Sequence, residues 1–253
     1  MWWAAGAGLV LALLIAGAVS IWGAWQLDAR EIDTQHQTFD RPITTLVFSD
    51  FRSGDIEVTA GEPGRVEVQR ELKWNGRKPV FTETWSGETL TVGHDCRGRI
   101  GANYCSVRYI VKVPESVAVK AEASSGNVHL SGVTGEIRLQ TTSGDLTIDG
   151  ATAALTVTTT SGNISLKGIR SPKVEATVTS GDVEMAFAQA PQSVSVSATS
   201  GNVTARVPDD NAPYRVDVRT TSGDRRVTVD QSQDAGRAIS VHATSGDVTI
   251  GYR

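Results

Sequence analysis

A Ser-Gly-Asp/Asn tripeptide followed by an aliphatic residue recurs through the second half of this 253-residue chain, and no other feature restricts the fold as much. The copies are Ser125-Gly126-Asn127-Val128, Ser143-Gly144-Asp145-Leu146, Ser161-Gly162-Asn163-Ile164, Ser180-Gly181-Asp182-Val183, Ser200-Gly201-Asn202-Val203, Ser222-Gly223-Asp224-Arg225 and Ser245-Gly246-Asp247-Val248. Their spacings are 18, 18, 19, 20, 22 and 23 residues. A motif returning at this interval means a supersecondary unit that can bury its apolar side only against its own neighbours.

The residues around each copy give the unit. Leu155, Val157 and Thr159 alternate with other residues before Ser161, as do Val194, Val196 and Ala198 before Ser200. A second short run follows the motif, for example Val183 to Phe187. Alternation with β-branched Val, Ile and Thr predicts strands, and Gly and Asx predict the corner between them. Each unit therefore reads as strand, Ser-Gly-Asx corner, strand, looser corner. Because every unit returns in the same sense, residues 117–253 are expected to form a regular parallel β-solenoid array. A β-sandwich with long hairpins has the same alternation and stays open.

Stacked in sequence order, the third motif residue would form a ladder of Asn127, Asp145, Asn163, Asp182, Asn202, Asp224 and Asp247. Asx at such a corner is expected to bond its own nearby backbone N–H groups, and neutral Asn between carboxylates limits repulsion along a stack. Arg225 and Arg226 stand beside the one acidic neighbour pair, Asp224 and Asp247, and Arg225 replaces the usual aliphatic residue. Calcium binding is a weaker reading, since one carboxylate per unit is sparse for that ion. Polysaccharide hydrolysis by stacked carboxylates such as Asp145 and Asp182 is weaker still. The four His residues, 36, 94, 129 and 242, are scattered, and no nucleophile elbow, phosphate loop or dinucleotide fingerprint occurs. No catalytic, cofactor or metal residues are assigned.

Residues 1–25 carry no charged side chain, and Trp2, Trp3, Trp22 and Trp25 bracket the run. Length and aromatic flanks predict a helix spanning a bilayer. A cleaved signal peptide is the competing reading, from Ala16-Gly17-Ala18. Residues 26–38 are polar and read as a juxtamembrane linker. Residues 39–116 read as an N-terminal cap with hairpins, continuous with the array as one domain. They hold an isolated early copy, Ser53-Gly54-Asp55, and strand-like runs at 66–72, 80–85, 89–92 and 107–113. Cys96 and Cys105 are expected to bridge a hairpin tip, which favours a compartment outside the cytosol. A net charge of −4 offers no basic footprint for nucleic acid.

The Thr-Ser-Gly-Asx corners, the strand Tyr109 to Pro114 and the single amino-terminal apolar segment resemble a bacterial β-strand-repeat family of candidate adhesins, a domain of unknown function. The resemblance covers most of residues 39–253 and implies an envelope-exposed solenoid without catalytic residues. The expected function is a non-catalytic surface interaction or structural module, single-pass in the cell membrane with its C-terminal domain extracytoplasmic. Its expected partners are the bilayer through residues 1–25, an envelope polymer or membrane protein, and a second copy through the C-terminal edge. A membrane-tethered regulatory accessory of an envelope-stress system is the alternative, and a polysaccharide-active enzyme the distant third.

Overall fold

Alternation in this sequence sends every second side chain inward, and the computed structural model shows what that produces over residues 31–75, 77–96 and 104–253. The expected anchor, residues 1–25, lies outside these described residues. All regular structure among them is β. The first strands are β1 (Glu31–Asp40), β2 (Thr45–Phe51), β3 (Ile56–Gly61), β4 (Arg65–Trp74), β5 (Val80–Ser86), β6 (Thr89–Asp95) and β7 (Cys105–Pro114). The repeats follow as pairs across each corner: β8 (Ala118–Ser125) with β9 (Val128–Ser131), β10 (Ile137–Ser143) with β11 (Leu146–Asp149), and β12 (Leu155–Ser161) with β13 (Ile164–Ile169). Then come β14 (Lys173–Ser180) with β15 (Val183–Phe187), and β16 (Ser193–Ser200) with β17 (Val203–Val207). The last are β18 (Arg215–Ser222) with β19 (Arg225–Val227), and β20 (Ala238–Ser245) with β21 (Val248–Tyr252).

The chain alternates between two sheets, one strand of every coil in each. One sheet runs β1-β4-β7-β3-β9-β11-β13-β15-β17-β21-β19, the other β18-β20-β16-β14-β12-β10-β8-β2-β6-β5. Pairing is parallel throughout the array and, among the described residues, antiparallel only for β1 with β4, β4 with β7 and β5 with β6. The layers are those of a sandwich, but parallel pairing with a sheet change at every corner replaces the long hairpins of that alternative. Inward residues of the two sheets, such as Leu155 and Val157 facing Ile164 and Leu166, meet in one apolar column along the molecule.

Three expectations change. First, Ser53-Gly54-Asp55 is not isolated: β2 pairs with β8 and β3 with β9, so this copy stacks directly beneath the one at Asn127. The chain between them leaves by β4, returns by β5 to β7, and covers the other side. Second, the stretch expected to be linker is strand from Glu31, because β1 supplies an edge to β4 over ten residue pairs. Third, the coils at the far end are not in sequence order. The crossover at 208–214 carries the chain past one vacant position to β18 and β19, and 228–237 brings β20 and β21 back into it. The strand expected at the edge, β21, is therefore internal, lying between β17 and β19.

Arg237 holds that detour. Its guanidinium donates to Asp210 through Nη1 at 2.7 Å and Nη2 at 2.9 Å, and to the Ala212 carbonyl at 2.7 Å. It also lies 4.4 Å above the ring of Tyr214, which is fully buried. A bidentate, charge-assisted contact of this kind ties the two long crossovers to each other. The bond to Arg237 holds the Asp210 carboxyl below the usual carboxylate range.

Candidate functional site

The repeated corner is built from three backbone requirements. Gly126, Gly144, Gly162, Gly181, Gly201, Gly223 and Gly246 all have φ between +124° and +138°, where a side chain is strained. Each also packs on its neighbour: a Cβ on Gly162 would stand 2.1 Å from the Gly144 carbonyl oxygen. The Gly N–H donates to the Ser carbonyl of the adjoining coil, as Gly144 does to Ser161 at 2.9 Å.

The Asx side chain completes the seam, though not by bonding its own backbone as expected. Oδ1 reaches across to the backbone N–H of the equivalent residue in the next coil. Asp55 accepts from Asn127 (2.9 Å), Asn127 from Asp145 (3.0 Å), Asp145 from Asn163 (2.7 Å) and Asn163 from Asp182 (2.9 Å). Asp182 accepts from Asn202 (2.7 Å), Asn202 from Asp247 (2.9 Å) and Asp247 from Asp224 (2.8 Å). The order of the last two is thus the reverse of the sequence. With that correction Asp and Asn alternate from Asp55 to Asp247, and only the terminal Asp224 adjoins another carboxylate. Asn163 Nδ2 also donates to Asp145 Oδ1 at 3.1 Å, so the amide contributes a donor that a second carboxylate would lack.

Arg225 marks the end of the stack. It is in register with buried Val248, and its Nη1 donates to the Val218 carbonyl of the facing sheet at 3.4 Å. The side chain thereby crosses the open end of the core, where an aliphatic residue would have no next layer to meet.

On the outer face of the second sheet, the register aligns polar side chains into rows. One runs Gln140, Thr158, Thr177, Ser197, His242, Arg219, and another Arg138, Thr156, Glu175, Ser195, Ser240, Asp217. The motif serines form a further exposed row, preceded at each corner by exposed Ser124, Thr142, Thr160, Thr179, Thr199, Thr244 or Thr221. Spacing is about 4.8 Å between coils and about 7 Å along a strand. The result is a flat lattice of hydroxyls, densest on β12, β14 and β16, with Glu175 within it and further charges at both sides. Lys120, Glu122 and Arg138 line a shallow depression at one side. At the other, Arg219 bonds Asp217, whose carboxyl it holds below its ordinary range, and His242 lies 3.7 Å from the same carboxylate.

The cap contains a second polar cluster, this one buried. Arg70 and Glu83 form an ion pair between β4 and β5, across the two sheets, and Arg70 Nη2 donates to Gln37 Oε1 at 3.0 Å. Burial lowers the Arg70 pKa. His94 is also buried and lies edge-on to Phe51 at 4.9 Å, with Tyr109 at 6.0 Å. Burial lowers the His94 pKa and raises that of Tyr109, whose hydroxyl donates to the Gly93 carbonyl at 3.0 Å. Sequence reasoning missed this cluster, although Arg70 shares the inward phase of Val66, Val68 and Leu72, and His94 that of Leu90 and Val92.

Cys96 and Cys105 are bonded, with Cα atoms 5.9 Å apart. They do not close a hairpin tip: β6 and β7 belong to different sheets, so the bridge stands where other coils have Ser-Gly-Asx. The remaining histidines are dispersed: His36 is on β1, and His129 is 3.8 Å from Asp149 on the outer face. Among the described residues no three His, Cys, Asp or Glu side chains converge as metal ligands.

The Toastrack DUF4097 family model matches residues 52–251. No curated protein matches the chain in sequence. A solved structure of a candidate adhesin from Bacteroides fragilis is similar with a TM-score of 0.51 at 14% identity, over 87% of this chain and 97% of that one. A candidate cell adhesion protein from Clostridium sporogenes covers 88% of this chain and 100% of its own, at 11% identity and a TM-score of 0.40. At such identities the first likeness is one of fold.

Proposed function

Since the chain belongs to the Toastrack DUF4097 family, we propose that it is a non-catalytic interaction module of the cell envelope. A parallel β-solenoid is held outside the cytoplasm by one spanning helix at residues 1–25. The observation that carries this reading is the flat, in-register hydroxyl lattice on the second sheet. Hydroxyls repeating at about 4.8 Å suit a long, repetitive, hydrogen-bonding partner such as an envelope polysaccharide better than a small substrate, which needs a concave pocket. The Bacteroides fragilis structure of similar fold is described as an adhesin candidate, which agrees with a surface role.

The corner carboxylates support a structural assignment. Asp145 and Asp182 each use Oδ1 to accept a backbone N–H of the next coil, and they are two rungs, about 10 Å, apart. A retaining pair needs about 5 Å between its carboxyl groups, and in both residues one oxygen is already committed to the seam.

In-cell crosslinking of the full-length protein, with residues 1–30 alone as control, tests the proposal. Recovery of wall polymer, reduced when Thr158, Thr177 and Ser197 are replaced by Lys, is the expected result. Recovery of one defined membrane protein instead, insensitive to those substitutions, would favour the regulatory accessory.

A further inference from the structure

The large apolar side chains left exposed among the described residues are Ile32, Val80 and Tyr104, at 70%, 55% and 40%. Register brings all three to one end of the cap. Glu31 lies opposite Trp74, and Trp74 opposite Cys105, which follows Tyr104. Val80 lies opposite Asp95, which precedes Cys96, and the Cys96–Cys105 bond joins the two sheets there. Lys78 folds the β4–β5 connection onto β1, with Nζ 2.7 Å from Asp33 and 5.3 Å from the Trp74 ring centroid. Lys73, Arg77 and Lys78 are exposed around the same end.

The chain enters the domain at this end. Residues 26–30 separate Trp25 from Glu31, and six fully extended Cα steps reach about 20 Å at most. Exposed aliphatic side chains with Lys73 and Arg77 beside them, Asp33 paired by Lys78 and Glu31 the exposed acid, tethered this close to a spanning segment, match the chemistry of a headgroup boundary. Apolar groups enter the acyl edge there, and cations face lipid phosphates. We propose that this end of the cap rests on the lipid surface, with Ile32 and Val80 in the interfacial layer and Lys73 and Arg77 toward anionic headgroups. The inference rests on the proposed anchor at residues 1–25. It adds a second lipid contact, made by the folded domain itself.

The test uses the full chain in vesicles of phosphatidylcholine and phosphatidylglycerol. Ile32→Cys and Val80→Cys are made separately and labelled with a polarity-sensitive fluorophore while the native disulfide stays oxidised. Thr199→Cys on the hydroxyl lattice is the control, and thermal unfolding confirms the fold of each. Lipids carrying a nitroxide high on the acyl chain should quench the labels at 32 and 80 at least about twofold, and leave 199 unchanged. Carbonate-resistant protein with no quenching at 32 and 80 would overturn the lipid contact and leave the anchor standing, as would equal quenching at 199. Release of the protein by carbonate would overturn the anchor and this inference together.

Discussion

Asn163 sits between Asp145 and Asp182, and its side chain does two things a carboxylate could not do together. It accepts the Asp182 N–H and donates to Asp145. Asn163→Asp would preserve the acceptor, lose the donor and set three carboxylates in consecutive rungs about 4.8 Å apart. The expected cost is about 1–2 kcal/mol at low ionic strength, from like-charge repulsion and the lost bond, and salt should recover much of it. Denaturant titrations at two salt concentrations measure this; equal loss at both would mean that repulsion plays no part in the alternation. The alternation itself was legible in the sequence, because corner chemistry needs only the local motif. The direction of the Oδ1 bonds was not, since the N–H they serve belongs to another coil. At Arg225 the broken pattern was visible, and its cause, an open end of the core, was not.

Within the cap, β4, β5 and β6 each place a polar side chain in the inward phase of an apolar alternation: Arg70, Glu83 and His94. Pattern reading finds such strands but does not say which inward positions meet. Burial lowers the pKa of His94 in the fold; Tyr109 on β7 and Asp95 on β6 are the titratable groups beside it, and Arg70 on β4 acts on Tyr109. The unfolded chain binds a proton on this imidazole near pH 6.5 and the folded one does not. Stability should therefore fall as pH drops below about 6.5, by up to about 1.4 kcal/mol per unit until the folded pKa is reached. His94→Phe, which keeps a ring against Phe51, should flatten that part of the profile. Thermal unfolding from pH 7.5 to 5 reads it, and an unchanged slope in the variant would place the titration elsewhere.

Across the whole molecule, the parallel array could be anticipated because every repeat carries the same pattern. The order of coils could not, since β18 and β20 have the same inward phase and either would fit against β16. What holds the observed order is the pair of crossovers at 208–214 and 228–237, tied to each other by Arg237, Asp210 and Tyr214. Removing residues 238–253 should thus leave Arg215–Val227 without a strand on either side. Hydrogen exchange should then show these amides losing protection together, while those of β16 and β17 keep theirs on the β14–β15 side. Retained protection at 215–227 would mean that β18 slides into the vacant position. The alternating seam has a consequence of another kind, for how such a molecule can lengthen. Duplicating one coil within it would place two carboxylates, or two amides, side by side. Duplicating two coils, one with Asp and one with Asn, leaves every junction as before. The heritable unit of growth in this architecture is accordingly the pair, and insertions should be tolerated in even numbers more readily than in odd.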